Sequence, residues 1–170
     1  YKSSALAVGG AELRRARQAF GQNEDMCELT EQVIFTEPYG KADNNHWTTP
    51  QLDDIVGEIQ SDPALKRAIN ALQEKFMTDA QALLHGDLHT GSLMCTETTT
   101  FAIDNEFAFY GPMGFDIGAF LANLLLAYFS QNGWAKCNGE DRGAQRDWLL
   151  SACASTWGIF EKRFLEQWNE

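Results

Sequence analysis

The sequence predicts an α+β fold, mostly helical, in which a short β-hairpin carries the residues able to do chemistry. Three observations predict it. Apolar residues recur at helical spacing in Leu52, Ile55, Val56 and Ile59, and again in Leu65, Ile69, Leu72 and Phe76. The stretch Phe115–Phe129 is apolar nearly all round, the pattern of a helix in the middle of a core. Between them, two short apolar runs, Ala82–His85 and Phe101–Ile103, each run into an acidic group. A β-like segment, Leu93–Cys95, and a polar turn, Glu97–Thr100, separate those runs, and a hairpin is the simplest way to bring the acidic ends together.

The chain has 170 residues, enough for one domain with a real core. Its apolar content is 44%, with 11 Phe and 5 Trp, which is a globular composition and not a disordered one. The formal net charge of -11 argues against a nucleic-acid surface, because phosphate contacts need clustered Lys and Arg. An anionic nucleotide would have to be held through a metal or by a local positive group. Cys27, Cys95, Cys137 and Cys153 form no CxxC pair, and their wide spacing fits reduced thiols in a cytoplasmic protein. Ile117–Phe129 is too short to span a bilayer, which takes roughly 20 residues, so no membrane partner is expected. The chain begins at Tyr1 and ends inside the helical pattern FEKRFLEQWNE, and is read as a fragment of something longer.

Ala11–Phe20 is predicted as a short helix stopped by Gly21, and Asn23 as the cap of a further turn through Cys27. Gln32–Thr36 reads as β-rich, broken by Pro38 and Gly40. Lys41–Thr48 is a polar loop whose Trp47 either folds back onto the core or closes over a ligand. Thr49-Pro50 and Asp62-Pro63 each pair a capping side chain with a first-turn proline, so each predicts a helix start. Both of those helices are read as scaffold. Gln131–Arg142 reads as a polar loop, and Gln145–Trp168 as a helix, bent at Gly158, with Trp148, Ala152, Trp157, Phe160 and Phe164 near one core-facing side.

The chemistry concentrates in LLHGDLHTGSLM and the following AIDNEF. Asp87, just after a strand in a Gly-containing loop, can accept the proton of a substrate hydroxyl. Phosphoryl transfer asks the protein for positioning and charge neutralisation. Asp104 and Glu106, at i and i+2 in extended chain, would share a face, and hard oxygen ligands at that spacing suit Mg²⁺. Three carboxylates gathered without a cation would repel one another, so Asp87, Asp104 and Glu106 are expected to converge around a divalent ion. His85 is read as shaping its loop through hydrogen bonds to nearby backbone. His89 is read as loop-shaping or substrate-contacting, and Ser92 as an oxygen donor on the metal side or an ordinary loop serine. Asp116 either caps the apolar helix or reaches back to backbone N–H groups of the His85–Asp87 loop, and Asn123 inside that helix needs a hydrogen-bond partner.

LLHGDLHTGSLM, then IDNEFAFYGPMGFDIGAFLANLLLAYFS, with NNHWTTPQLD upstream, resembles the methylthioribose kinases, members of the protein-kinase-like set that includes aminoglycoside and choline kinases. The resemblance runs from about Thr36 to Phe129 and more loosely to Trp168. It implies a protein-kinase-like C-terminal lobe and ATP-dependent phosphorylation of the 1-hydroxyl of 5-methylthioribose, a step of methionine salvage. It implies that Asp87 is the catalytic aspartate, that Asp104 and Glu106 hold Mg²⁺ on the nucleotide phosphates, and that Trp47 borders the sugar site. Ser92 stands where protein kinases have a metal-binding Asn, which shifts ligand duty towards Glu106. Asn105 departs from the Pro usual between the two acids. A homodimer of the full-length enzyme stays open.

Such enzymes also carry an N-terminal lobe with a Gly-rich loop and a phosphate-binding lysine, and Gly9-Gly10 is too short to serve. A substrate-binding arginine pair is expected beyond residue 170, so the isolated 170 residues are expected not to turn over. Two other readings stand beside this one. A kinase of another small alcohol, such as an aminoglycoside, choline or homoserine, keeps the same machinery. A zinc hydrolase would use His85, Asp87 and His89, which alternate as they would on one face of a strand.

Overall fold

The computed structural model describes residues 10–20 and 23–169. Among the described residues there are six α-helices, α1 (Gly10–Phe20), α2 (Glu24–Thr30), α3 (Asp53–Ser61), α4 (Pro63–Thr78), α5 (Phe115–Asn138) and α6 (Gly143–Trp168), and four three-residue strands. The strands β1 (Ala82–Leu84), β2 (Leu93–Cys95), β3 (Thr100–Ala102) and β4 (Phe109–Gly111) form two antiparallel pairs, β1 with β4 and β2 with β3. The predicted hairpin is the β2–β3 pair, with Met94 opposite Phe101. The run Ala82–Leu84 pairs instead with β4, Leu83 opposite Tyr110, so the stretch that holds Asp87 is flanked by two ladders rather than carried by one. Gly9 and Gly21, invoked above as a loop glycine and a helix stop, lie outside the described residues.

Helix α4 starts where Asp62-Pro63 predicts. The Asp62 carboxylate accepts from the N–H groups of Ala64 and Leu65 at 2.7 and 3.1 Å. Helix α3 starts later than expected, at Asp53, because the Thr49 hydroxyl donates to the Asp53 carboxylate instead of capping, and residues 49–52 form turns. Its apolar stripe is largely open, with Leu52, Ile55 and Ile59 exposed. The β-rich reading of Gln32–Thr36 is overturned: residues Glu31–Thr36 continue α2 as a π-helical turn, followed by the 3₁₀ turn Glu37–Tyr39. Local β preference loses there to packing, since Phe35 reaches the core as part of a helix surface and Gln73 of α4 donates to Glu31.

The core is small and aromatic. Phe76 of α4, 2% exposed, packs with Ala82, Leu84 and Phe109, and its ring lies 4.9 Å from those of Phe109 and Phe115 and 5.3 Å from that of Phe35. Helix α5 runs to Asn138 and ends on the left-handed Gly139, so of the predicted polar loop Gln131–Arg142 the first eight residues are helix and only residues 139–142 are loop, and Gln131 itself is buried. The expectation that Phe115–Phe129 lies wholly inside a core is also corrected. Leu124 is buried, but Leu126 and Phe129 are 68% and 71% exposed, because among the described residues α6 and the turn Thr90–Ser92 cover only part of the helix surface. Helix α6 is unbroken across Gly158 and buries Leu149, leaving Trp148 and Trp157 exposed. No described helix is long and apolar enough to cross a membrane.

Two outcomes follow from this packing. Phe76→Ala should lower the free energy of unfolding by about 3–5 kcal/mol, read by urea titration, since the ring meets three others. Burial, with a smaller contribution from Glu24, holds the Cys27 thiol above its ordinary range, so less of it is thiolate near pH 8. Maleimide labelling followed by mass spectrometry should therefore modify the exposed Cys95 and Cys137 before Cys27, with the lag shrinking as pH rises.

Candidate active site

The loop between β1 and β2 is held from three sides. The Asp116 carboxylate, in the first turn of α5, takes the N–H of His85 on Oδ2 at 2.6 Å and that of Gly86 on Oδ1 at 3.0 Å. The expected reach of Asp116 back to this loop is what the structure shows. His85 Nε2 lies 2.8 Å from the carbonyl of Ile103, and its Nδ1 accepts from the Asp87 N–H at 3.4 Å, so the hydrogen belongs on Nε2. Gly86 has φ +87°, and a Cβ there would stand 2.1 Å from the Phe107 carbonyl oxygen. Only glycine lets the two backbones approach so closely.

These contacts fasten the Asp87 loop to the segment that bears Asp104 and Glu106. A further bond, from the Ile103 N–H to the Ser92 carbonyl at 2.9 Å, adds to the same seam. Asn23, expected as a helix cap, makes no cap bond; its amide donates to the carbonyls of Glu106 and Ala108, both at 2.8 Å, and so ties α2 to the acidic segment. Asp104 is not in extended chain as expected but in the left-handed region, φ 66°, so the simple i, i+2 argument for a shared face fails. Aspartate tolerates that region better than most residues, and such backbone strain gathers at functional sites.

The side chains divide by exposure and partners. Asp87 is open to solvent, its Oδ2 3.6 Å from His89 Nε2. His89 accepts the Gly91 N–H on Nδ1 at 2.9 Å, which leaves its Nε2–H facing that carboxylate. Ser92 is 2% exposed, and its hydroxyl donates inward to the Asp87 carbonyl at 2.9 Å, closing the loop. Thr90 donates through its N–H, at 3.2 Å, and its hydroxyl to Asn123 Oδ1, which supplies the partner that residue needs. Asp104 and Glu106 are exposed, and among the described residues their carboxylates accept no hydrogen bond.

Among the described residues no three His, Cys, Asp or Glu side chains come close enough together to hold a metal ion unaided. The expected convergence of Asp87, Asp104 and Glu106 is thus not preassembled as a three-ligand group. The alternation of His85, Asp87 and His89 on one face of a strand does not form: the three lie in a loop, and the Nδ1 lone pair of each imidazole accepts a backbone N–H. Two exposed, unengaged carboxylates fit Mg²⁺ completed by phosphate oxygens. Trp47 stands apart; 41% exposed, it lines two small clefts whose walls include neither Asp87 nor Asp104. Gly86, Asp87 and Phe107 instead border a largely apolar cleft of about 830 Å³ between α2, α4 and α5.

The sequence signature of the phosphotransferase enzyme family matches residues 5–151. The chain belongs to that family. The chain is 44% identical over 169 residues to methylthioribose kinase of Escherichia coli O45:K1, covering 99% of this chain and 40% of that protein. It is 53% identical over 148 residues to methylthioribose kinase 1 of rice, 87% of this chain and 34% of the relative. It is 40% identical over 158 residues to methylthioribose kinase of Bacillus thuringiensis, 93% of this chain and 37% of the relative. The chain therefore spans 34% to 40% of the length of these three relatives.

Two of the loop's fastenings, Gly86 on Phe107 and Asn23 on Glu106, were not read from the sequence, because nothing local marks which distant backbone a residue will meet. Asp116→Ala should destabilise the fold by about 1–3 kcal/mol for each N–H left without an acceptor. Asp116→Asn, which keeps one acceptor oxygen, should lose less; equal stability of both variants and the parent in urea would contradict the tie.

Proposed function

We propose that the whole protein is an ATP-dependent kinase of 5-methylthioribose acting in methionine salvage in the cytoplasm, and that these residues supply its catalytic and metal-holding part. The observation that carries the reading is the seam between the two acidic loops, Gly86 on Phe107 and His85 on Ile103, which keeps the open Asp87 beside the Asp104 segment. The similarity to methylthioribose kinases over nearly all of the chain supports the choice of acceptor.

In this reading Asp87 accepts the proton of the 1-hydroxyl as its oxygen bonds to the γ-phosphorus of ATP. The bond between that phosphorus and the bridging oxygen breaks, and ADP leaves. Asp104 and Glu106 would hold Mg²⁺, and the ion, when bound, neutralises charge on the nucleotide phosphates. Ser92, buried and donating to the Asp87 carbonyl, shapes the loop, and would reach the nucleotide side as a ligand only by turning its hydroxyl outward. His89 restrains the Asp87 carboxylate and borders the acceptor, and Trp47 belongs to the loop that bounds the sugar.

The test is an ADP-release assay on the whole protein with 5-methylthioribose, an aminoglycoside, choline and homoserine as acceptors. Turnover should be confined to methylthioribose and require Mg²⁺. Asp87→Asn should cut kcat by about 10²–10⁴-fold with little change in nucleotide affinity. Preference for any other acceptor would overturn the substrate assignment, and an undiminished Asp87→Asn rate would overturn the mechanism.

A further inference from the structure

The sequence holds two Asn-Gly dipeptides, Asn132-Gly133 and Asn138-Gly139, and the fold treats them differently. All four residues are exposed. Neither glycine is crowded, since a Cβ on Gly133 or Gly139 would meet nothing within 4 Å, so space does not separate the two sites. The backbone does. Asn132-Gly133 lies inside α5, with helix on both sides, and the Gly133 N–H is one bond of a continuous ladder. Asn138 is the last residue of α5, and Gly139 turns the chain out of the helix at φ 66°, ψ 30°. The N–H groups of Gly139 and Glu140 go to a single acceptor, the Ala135 carbonyl, the second at 3.2 Å. These bonds end the helix, so opening them frees Asn138 without unwinding the rest of α5.

The dipeptide carries its own chemistry. The backbone nitrogen after an asparagine can attack the side-chain carbonyl carbon of that asparagine. A bond forms between the nitrogen and Cγ, the Cγ–Nδ2 bond breaks, and ammonia leaves with the proton that the backbone nitrogen gives up. Water then opens the cyclic imide at either carbonyl, giving aspartate or isoaspartate. Glycine favours the attack, because it lacks a Cβ and lets the backbone turn freely. A helical ψ holds the following nitrogen out of line with Cγ, so the backbone must open before the bond can form.

We propose that Asn138 is a site of spontaneous modification, passing through the imide to aspartate and isoaspartate, while the interior of α5 protects Asn132. The product weakens the joint between α5 and α6, which packs back along α5. A carboxylate at position 138 stands at the negative end of the α5 dipole and close in sequence to Glu140 and Asp141. Isoaspartate also adds a backbone carbon just before the left-handed turn that leads towards α6. Nothing in this proposal depends on the kinase reading.

The test is to age the whole protein at mildly alkaline pH, folded and in urea, and to map both sites by mass spectrometry. Lys136 lies between the sites, so trypsin puts them on separate peptides. In the folded protein, conversion at Asn138 should outpace that at Asn132 by at least about tenfold, the margin between fraying a helix end and opening its interior. In urea, where neither site has a helix, the two rates should converge. Asn138→Gln should lose the more acidic species that the aged parent shows on ion exchange. That species, once isolated, should unfold at a lower urea concentration than the parent, as should Asn138→Asp.

Equal rates at the two sites in the folded protein would overturn the assignment. So would an intact Asn138 in folded samples aged until the urea samples have converted. An unchanged urea midpoint in the isolated acidic species would overturn the weakening of the joint.

Discussion

One carboxylate organises the candidate site. Asp116 sits in the first turn of α5 and takes two consecutive backbone N–H groups, those of His85 and Gly86. Those groups leave β1 with no strand partner of their own, so an acceptor must come from elsewhere. The bonds also anchor a loop to the helix that Phe115 joins to the Phe76 core. Loop positioning and core packing are therefore the same construction: the aromatic cluster places α5, α5 places Asp116, and Asp116 places the turn that presents Asp87.

From that turn the restraint passes outward through backbone. Gly86 lets the loop press on the Phe107 carbonyl, and His85 binds the Ile103 carbonyl, so the second acidic segment is gripped at both of its ends. Asn23 adds a third hold through the Glu106 and Ala108 carbonyls. The carboxylates of Asp104 and Glu106 are left unbonded among the described residues while their backbone is pinned. In the proposed kinase such an arrangement would suit a cation arriving with the nucleotide, since the main chain needs no reorganisation and the side chains remain available.

Much of this was legible in the chain itself. HGD followed by DNE located both acidic loops, the turn between Leu93–Cys95 and the next apolar run marked the hairpin, and Asp62-Pro63 marked a helix start, because each is a local signal with a local cause. Where a segment's state depends on what it meets, the reading failed. Gln32–Thr36 has strand-like composition and is helical, because Phe35 is drawn into the core from a helix surface. Thr49 looked like a cap and instead orients Asp53, and the acid of an ordinary first helical turn proved to hold Trp47.

By itself the sequence determined which residues could do chemistry, where α4 would start, and that a hairpin would separate the two acidic groups, since periodicity and turn chemistry act over a few residues. Only the tertiary structure decided that β1 pairs with β4, that Asp104 is left-handed, and that Gly86 lies on Phe107. Those features arise from contacts between residues some twenty or more apart in the chain, and which of them form is chosen by the packing of the whole.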